Sequence, residues 1–100
     1  MTQLLDLVTP GEVLCEEFMK PLNISQNKLA RDIDVPPSRV HAIIHGRRAI
    51  TADMALRLGK YFSSSPQLWM NLQAHYDLEV AERNAWPAIK DRIRSLRQAS

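Results

Sequence analysis

Three kinds of side chain in this 100-residue sequence could do chemistry: one cysteine, three histidines, and thirteen lysines and arginines. Cys15 paired with His75 would be a nucleophile and its base, but no activating motif surrounds Cys15, and a small cysteine among helix residues reads as packing. His41 and His45 stand four apart, which would put two nitrogens on one helix face. A zinc site needs further ligands, and no cysteine or carboxylate accompanies them at ligand spacing. No catalytic residue, metal site or cofactor is therefore expected. What remains is a set of cations and polar groups between Gln26 and Thr51: Gln26, Ser38, Arg39, His41, His45, Arg47, Arg48 and Thr51. Their chemistry is recognition without bond-making. A guanidinium forks onto a phosphate or onto the acceptor edge of guanine, while amides and hydroxyls bond phosphate oxygens or base edges.

Such groups act together only if rigid elements aim them. Ser25 can cap a helix beginning at Gln26, and Ile24 before it can pack on Leu29 as a hydrophobic staple. Leu29, Ala30 and Ile33 then recur at helical spacing, until Asp34, a residue type that tolerates the left-handed backbone, ends the helix near Ile33. Pro36 and Pro37 restart the chain, since proline suits the first helical position. The second helix is predicted from Pro37 to about His45. Val40, Ile43 and Ile44 form its inward face, Ser38, Ala42 and His45 its outward face, with Arg39 and His41 on the flanks. Gly46 suits a left-handed C-terminal cap, and Arg47 and Arg48 follow it. Two short helices, a tight turn and an outward face of small, polar and basic residues describe a reader of the DNA major groove over residues 25–48.

Charge supports that placement more through its distribution than through the net +2. Residues 1–25 set Lys20 against Asp6, Glu12, Glu16 and Glu17, a balance of −3. Residues 26–60 set seven bases against three acids, a balance of +4, so the positive charge falls on the proposed reader. Residues 61–83 return to −2, and 84–100 form a second basic zone of +3.

Around the reader, Thr9-Pro10 starts a helix over Gly11 to Met19. Thr51 caps another that carries Met54, Ala55, Leu58 and Phe62. Ser65-Pro66 opens the longest, with Leu68, Trp69, Leu72 and Tyr76 on one face and a course towards Val80 and Arg83. Trp69, Tyr61 and Phe62 read as core, whereas Trp86, beside the helix-breaking Pro87, could fill a partner's pocket. Beyond Pro87, Ile89, Ile93 and Leu96 repeat at helical spacing and suggest a final helix, docked on its own domain or shared across a dimer. The expected organisation is one all-α domain over residues 1–83, followed by a basic, helical extension over 84–100. One cysteine excludes an internal disulfide. With no secretory signal at the N-terminus and no long apolar span, a cytoplasmic protein without a membrane partner is expected.

The motif resembles the helix-turn-helix of the phage-repressor and Xre-type family, in which a glutamine opens the first helix, Leu-Ala follows and a Gly-basic pair closes the second. From Thr9 to about Ala81 the likeness is closer. TPGEVLCEEFMKPLNIS and HGRRAITADMALRLGKYFSSSPQLWMNLQAHYDLEVA are similar to the HigA (VapI-like) branch, the antitoxin half of bacterial type II toxin-antitoxin pairs. Gly-Arg-Arg-x-Ile-Thr, Met-Ala-Leu-Arg-Leu and Ser-Pro-x-x-Trp-x-x-Leu-Gln carry that resemblance together. It departs at Asp34, where the family usually has glycine, and at Ala42, where relatives often place a long polar side chain.

This resemblance implies a five-helix, lambda-repressor-like bundle and an operator-binding repressor of its own operon. It also implies a second partner, a HigB-type toxin of the RelE-like ribonuclease class. Gln26 takes the role of the family glutamine that holds a phosphate. Pro37, Ser38, Arg39, His41 and Ala42 would meet the groove, with Arg39 the foremost base reader and Ala42 able to touch a thymine methyl. His45, Arg47, Arg48 and Thr51 would contact phosphate. Reading an inverted repeat calls for a homodimer, its recognition helices about 34 to 36 Å apart, with helices four and five and the C-terminal stripe as the interface. Asp6, Glu12, Glu16 and Glu17 would steer a basic toxin by complementary charge. The alternative is a stand-alone Xre-type regulator with no toxin partner.

Overall fold

The computed structural model describes residues 7–99. Helix α1 (Pro10–Val13) opens with a capping box: the Thr9 hydroxyl accepts from the Glu12 N–H at 3.1 Å, and the Glu12 carboxylate accepts from the Thr9 N–H at 2.9 Å. It runs directly into a π-helical segment, Leu14–Met19. Helices α2 (Gln26–Ile33), α3 (Pro37–Ile44), α4 (Ala52–Phe62) and α5 (Pro66–Arg83) follow, and together with α1 they form the five-helix bundle. Ser25, Thr51 and Ser65 each cap the helix behind them by accepting a backbone N–H, as their residue types predict.

Leu14, Leu29, Val40, Ile43, Ile50, Met54, Leu58 and Trp69 are 2% exposed or less and fill the space between all five helices. Phe18 packs against Phe62 and Trp69 with ring centroids 5.1 and 4.7 Å apart, closing the core under the α4–α5 connection. The Trp69 indole N–H donates to the Ser64 hydroxyl at 3.1 Å, so its burial strands no donor.

Two contacts fix α1 and α2 relative to the rest. A Cβ on Gly11 would overlap the carbonyl of Ile43, so α1 lies directly on the backbone of α3. Arg57 on α4 donates to the carbonyl oxygens of Ile33 and Asp34 at 2.7 and 3.1 Å and to Asp53 at 2.9 Å. One guanidinium thus caps the last carbonyls of α2, which have no partner inside their own helix. Beside it, Asp32 accepts from the Tyr61 hydroxyl at 2.8 Å and from Lys28 at 2.9 Å. Lys28 first and Tyr61 second hold the Asp32 carboxyl below its ordinary value, and the same bond raises the Tyr61 phenol.

Beyond Arg83 the single final helix expected from Ile89, Ile93 and Leu96 gives way to three short pieces: α6 (Trp86–Ile89), a 3-10 turn (Lys90–Arg92) and α7 (Leu96–Ala99). Ile93 is extended, with φ −90° and ψ 126°. Ser95, which a continuous helix would place mid-helix, instead accepts the Arg97 N–H and starts α7. Trp86, Ile93 and Leu96 are 41, 59 and 88% exposed, and the molecule measures 56 × 29 × 21 Å. Among the described residues, no helix is long and apolar enough to cross a membrane.

Candidate nucleic-acid interface

The start of α2 and the outer side of α3 meet at one surface. Gln26 occupies the first position of α2, and its amide oxygen lies 3.3 Å from the Nδ1 of His41 on α3. His41 in turn lies against His45, one turn further on, with ring centroids 4.2 Å apart. These three side chains form a polar row across the two helices.

The turn between the helices is built at Asp34, whose φ of 61° and ψ of 51° are left-handed. An aspartate adopts this backbone more readily than most residues, which explains how the turn closes without glycine. Its N–H and that of Val35 return to the carbonyls of Arg31 and Ala30. Pro36 is extended and Pro37 opens α3. Val40 and Ile43 are buried, Ile44 and Arg39 half-buried, and Pro37, Ser38, His41 and His45 exposed, with Ala42 half-buried among them. The outer side of α3 thus exposes Ser38 and His45, with Ala42 half-buried between them.

Past α3 the chain turns at Gly46, whose φ is +73°, and the Arg47 N–H bonds the Ala42 carbonyl at 2.8 Å. Arg47 and Arg48 are exposed, next to the end of α3. Ile50 then plunges into the core, and Thr51 starts α4. The Thr51 oxygen accepts the Met54 N–H, leaving its proton to donate outward.

This arrangement matches known proteins along nearly its whole length. The helix-turn-helix family covers residues 16–69. The chain is 47% identical to Virulence-associated protein I of Dichelobacter nodosus over 77 residues, 77% of this chain and 71% of that protein. It is 34% identical to antitoxin HigA-1 of Vibrio cholerae serotype O1 over 71 residues, 71% of this chain and 67% of that protein. Pseudomonas aeruginosa antitoxin HigA, solved with the higBA promoter, has a TM-score of 0.86 at 42% identity, covering 90% of this chain and 98% of that one. The chain belongs to the HigA family of helix-turn-helix antitoxins.

On this HigA fold the other residues singled out by sequence fall elsewhere. Glu12, Glu16 and Glu17 are exposed on α1 and its π-helical continuation, but Glu12 is engaged in the capping box and Glu16 pairs with Lys20 at 2.8 Å. Asp6 lies outside the described residues. Cys15 is half-buried in the π-helical segment, and His75 on α5 faces Glu79 at 3.8 Å. Among the described residues, no group of three histidines, cysteines or carboxylates comes together around His41 and His45.

Three residues that shape this surface lie within the quoted family motifs but are given no role by the sequence pattern. Gly11 and Arg57 set the seats of α3 and α2. Gln73 on α5 accepts the Ile50 N–H at 2.8 Å. A signal for Gln73 is present all the same: it stands four after Trp69, an amide on the core-facing stripe of α5.

Proposed function

We propose that this HigA-family chain is a sequence-specific DNA-binding antitoxin that represses its own operon as a homodimer and neutralises a RelE-like, HigB-type ribonuclease toxin. The observation that carries the DNA reading is the exposed outer face of α3, bordered by Gln26 on one side and Arg47 and Arg48 on the other. Ser38, Arg39 and Ala42 face base edges, with Pro37 and His41 beside them. Gln26, His45, Arg47, Arg48 and Thr51 hold the phosphates that set register. Arg39, bidentate on a guanine, is worth about 1–3 kcal/mol of discrimination against a wrong base.

Residues 1–83 act as the DNA-binding domain, and 84–100 as the arm through which two copies join. Exposed Leu78, Trp86, Ile93 and Leu96 support that role. So does the +3 balance of the tail set against −2 over residues 61–83. A dimer reading two half-sites multiplies the discrimination of one module, which alone would be lost among competing genomic sites.

Footprinting on the region upstream of the gene tests the DNA reading: wild type should protect an inverted repeat. Arg39→Ala combined with Arg47→Ala should abolish protection, and undiminished protection by that variant would overturn the assignment. For the toxin surface, Glu16→Lys with Glu17→Lys should slow association with the co-purified toxin and leave operator binding unchanged. Glu12 is left intact because its carboxylate holds the first turn of α1. Toxin association at the wild-type rate would remove the acidic segment from the interface.

A further inference from the structure

The loop carrying Arg47 and Arg48 has its two ends held in different ways. At its start, Gly46 and Arg47 donate to carbonyls of α3. At its end, the backbone is tied through a side chain: the Ile50 N–H donates to the Gln73 amide oxygen at 2.8 Å. Gln73 is the one buried polar side chain among the described residues. Its amide nitrogen donates to an Asp77 carboxylate oxygen at 2.9 Å, one turn along α5. A carboxylate can only accept, so Asp77 decides which end of the amide faces the loop. Behind the loop lies a cleft of about 200 Å³, lined in part by Gly46, Arg47, Ala49, Gln73, Tyr76 and Asp77. The loop therefore has room to settle inward once its tether is cut.

We infer that Gln73, oriented by Asp77, is a positioning residue for DNA binding: it fixes the height of the 46–50 loop so that Arg47 and Arg48 meet the phosphate backbone together with α3. This rests on the reading of those two arginines as phosphate ligands. Gln73 touches no DNA itself. It acts by holding the loop backbone, and Asp77 acts by holding Gln73.

The test is operator affinity by fluorescence anisotropy over a salt series, with thermal unfolding measured in parallel. Gln73→Met keeps length and apolar bulk and removes the bond. It should lower the slope of log affinity against log salt by about 1 to 2 per protomer, near 0.9 for each phosphate no longer neutralised. Asp77→Asn, at an exposed position that threatens the fold less, should move the slope the same way by a smaller amount, because either end of the Gln73 amide can then face the loop. Gln73→Glu with Asp77→Asn conserves net charge and reverses the donor and acceptor, so that the introduced carboxylate accepts from Ile50 and from the introduced amide. That pair should recover the wild-type slope, whereas Gln73→Glu alone sets two carboxylates face to face and should not.

A wild-type slope in Gln73→Met would overturn the inference, as would a wild-type slope in Asp77→Asn should the first variant fail to fold. Arg47→Ala with Arg48→Ala separates the two layers. If that variant leaves the slope unchanged, the phosphate reading itself fails. If it lowers the slope and the Gln73 variants do not, only the tether fails.

Discussion

Of the three glycines, Gly11 leaves the least room for an added carbon, so its replacement by alanine is a demanding test of this fold. The added Cβ would overlap the Ile43 carbonyl and lie 2.9 Å from the Ile44 Cα, all backbone atoms of α3 that no rotamer change can move aside. Relief requires α1 and α3 to separate, and overpacking of this kind costs about 3 kcal/mol, the upper part of its usual range. Against this, alanine is favoured over glycine inside a helix by about 1 kcal/mol. The net loss of about 2 kcal/mol should lower the midpoint of thermal unfolding by roughly 8–16 °C for a domain of this size. Circular dichroism on Gly11→Ala checks the figure, with Gly46→Ala as a comparison because its Cβ would meet only the Thr9 Cγ2 at 3.8 Å, an ordinary contact, leaving the positive φ as the opposing factor. A midpoint within a degree or two of wild type would refute the close seating of α1 on α3. A Gly46→Ala loss larger than that of Gly11→Ala would show that backbone strain, and not helix contact, governs this region.

Two further outcomes follow from the α2–α4 contacts. Arg57→Met removes the guanidinium that caps Ile33 and Asp34 and should cost about 1.5–3 kcal/mol in urea unfolding, the range for hydrogen bonds to a charged group; no loss would mean that water satisfies those carbonyls equally well. Because Asp32 titrates below its ordinary value in the folded chain, its contribution is present above the normal carboxylate range and is lost as pH falls through it, so Asp32→Asn should flatten the acid limb of stability against pH. The raised Tyr61 phenol acts in the opposite direction, its contribution being lost as pH rises through and above the normal phenol value. Tyr61→Phe should flatten the alkaline limb, and an unchanged limb in either variant would dissociate that residue from the folded-state bond.

Much of this architecture is legible in the sequence because its punctuation is chemical. Ser25, Thr51 and Ser65 announce helix starts through a hydroxyl that satisfies an orphan N–H, and Pro37 through a ring that needs no donor. The inner and outer faces of α3 follow from helical spacing alone. The π-helical run from Leu14 to Met19 does not announce itself, since its residues suit an α-helix equally well. Thr9 and Glu12 stand at capping-box spacing, yet the charge of the glutamate masks its part in the cap. In the tail, the spacing of Ile89, Ile93 and Leu96 suggests one helix only as long as Ser95 is overlooked, a residue that prefers to begin a helix. Contacts such as Arg57 on α2 and Gln73 on Ile50 join residues 23 or 24 apart, and one side of such a pair carries no mark of the other.

The close seating of α1 on α3 has a mechanical corollary. Backbone rests on backbone there, with no compressible side chain between, so α1 cannot shift towards α3 without moving it. On the proposed reading, a partner held at Glu16 and Glu17 would sit on the π-helical continuation of the helix that is seated on α3.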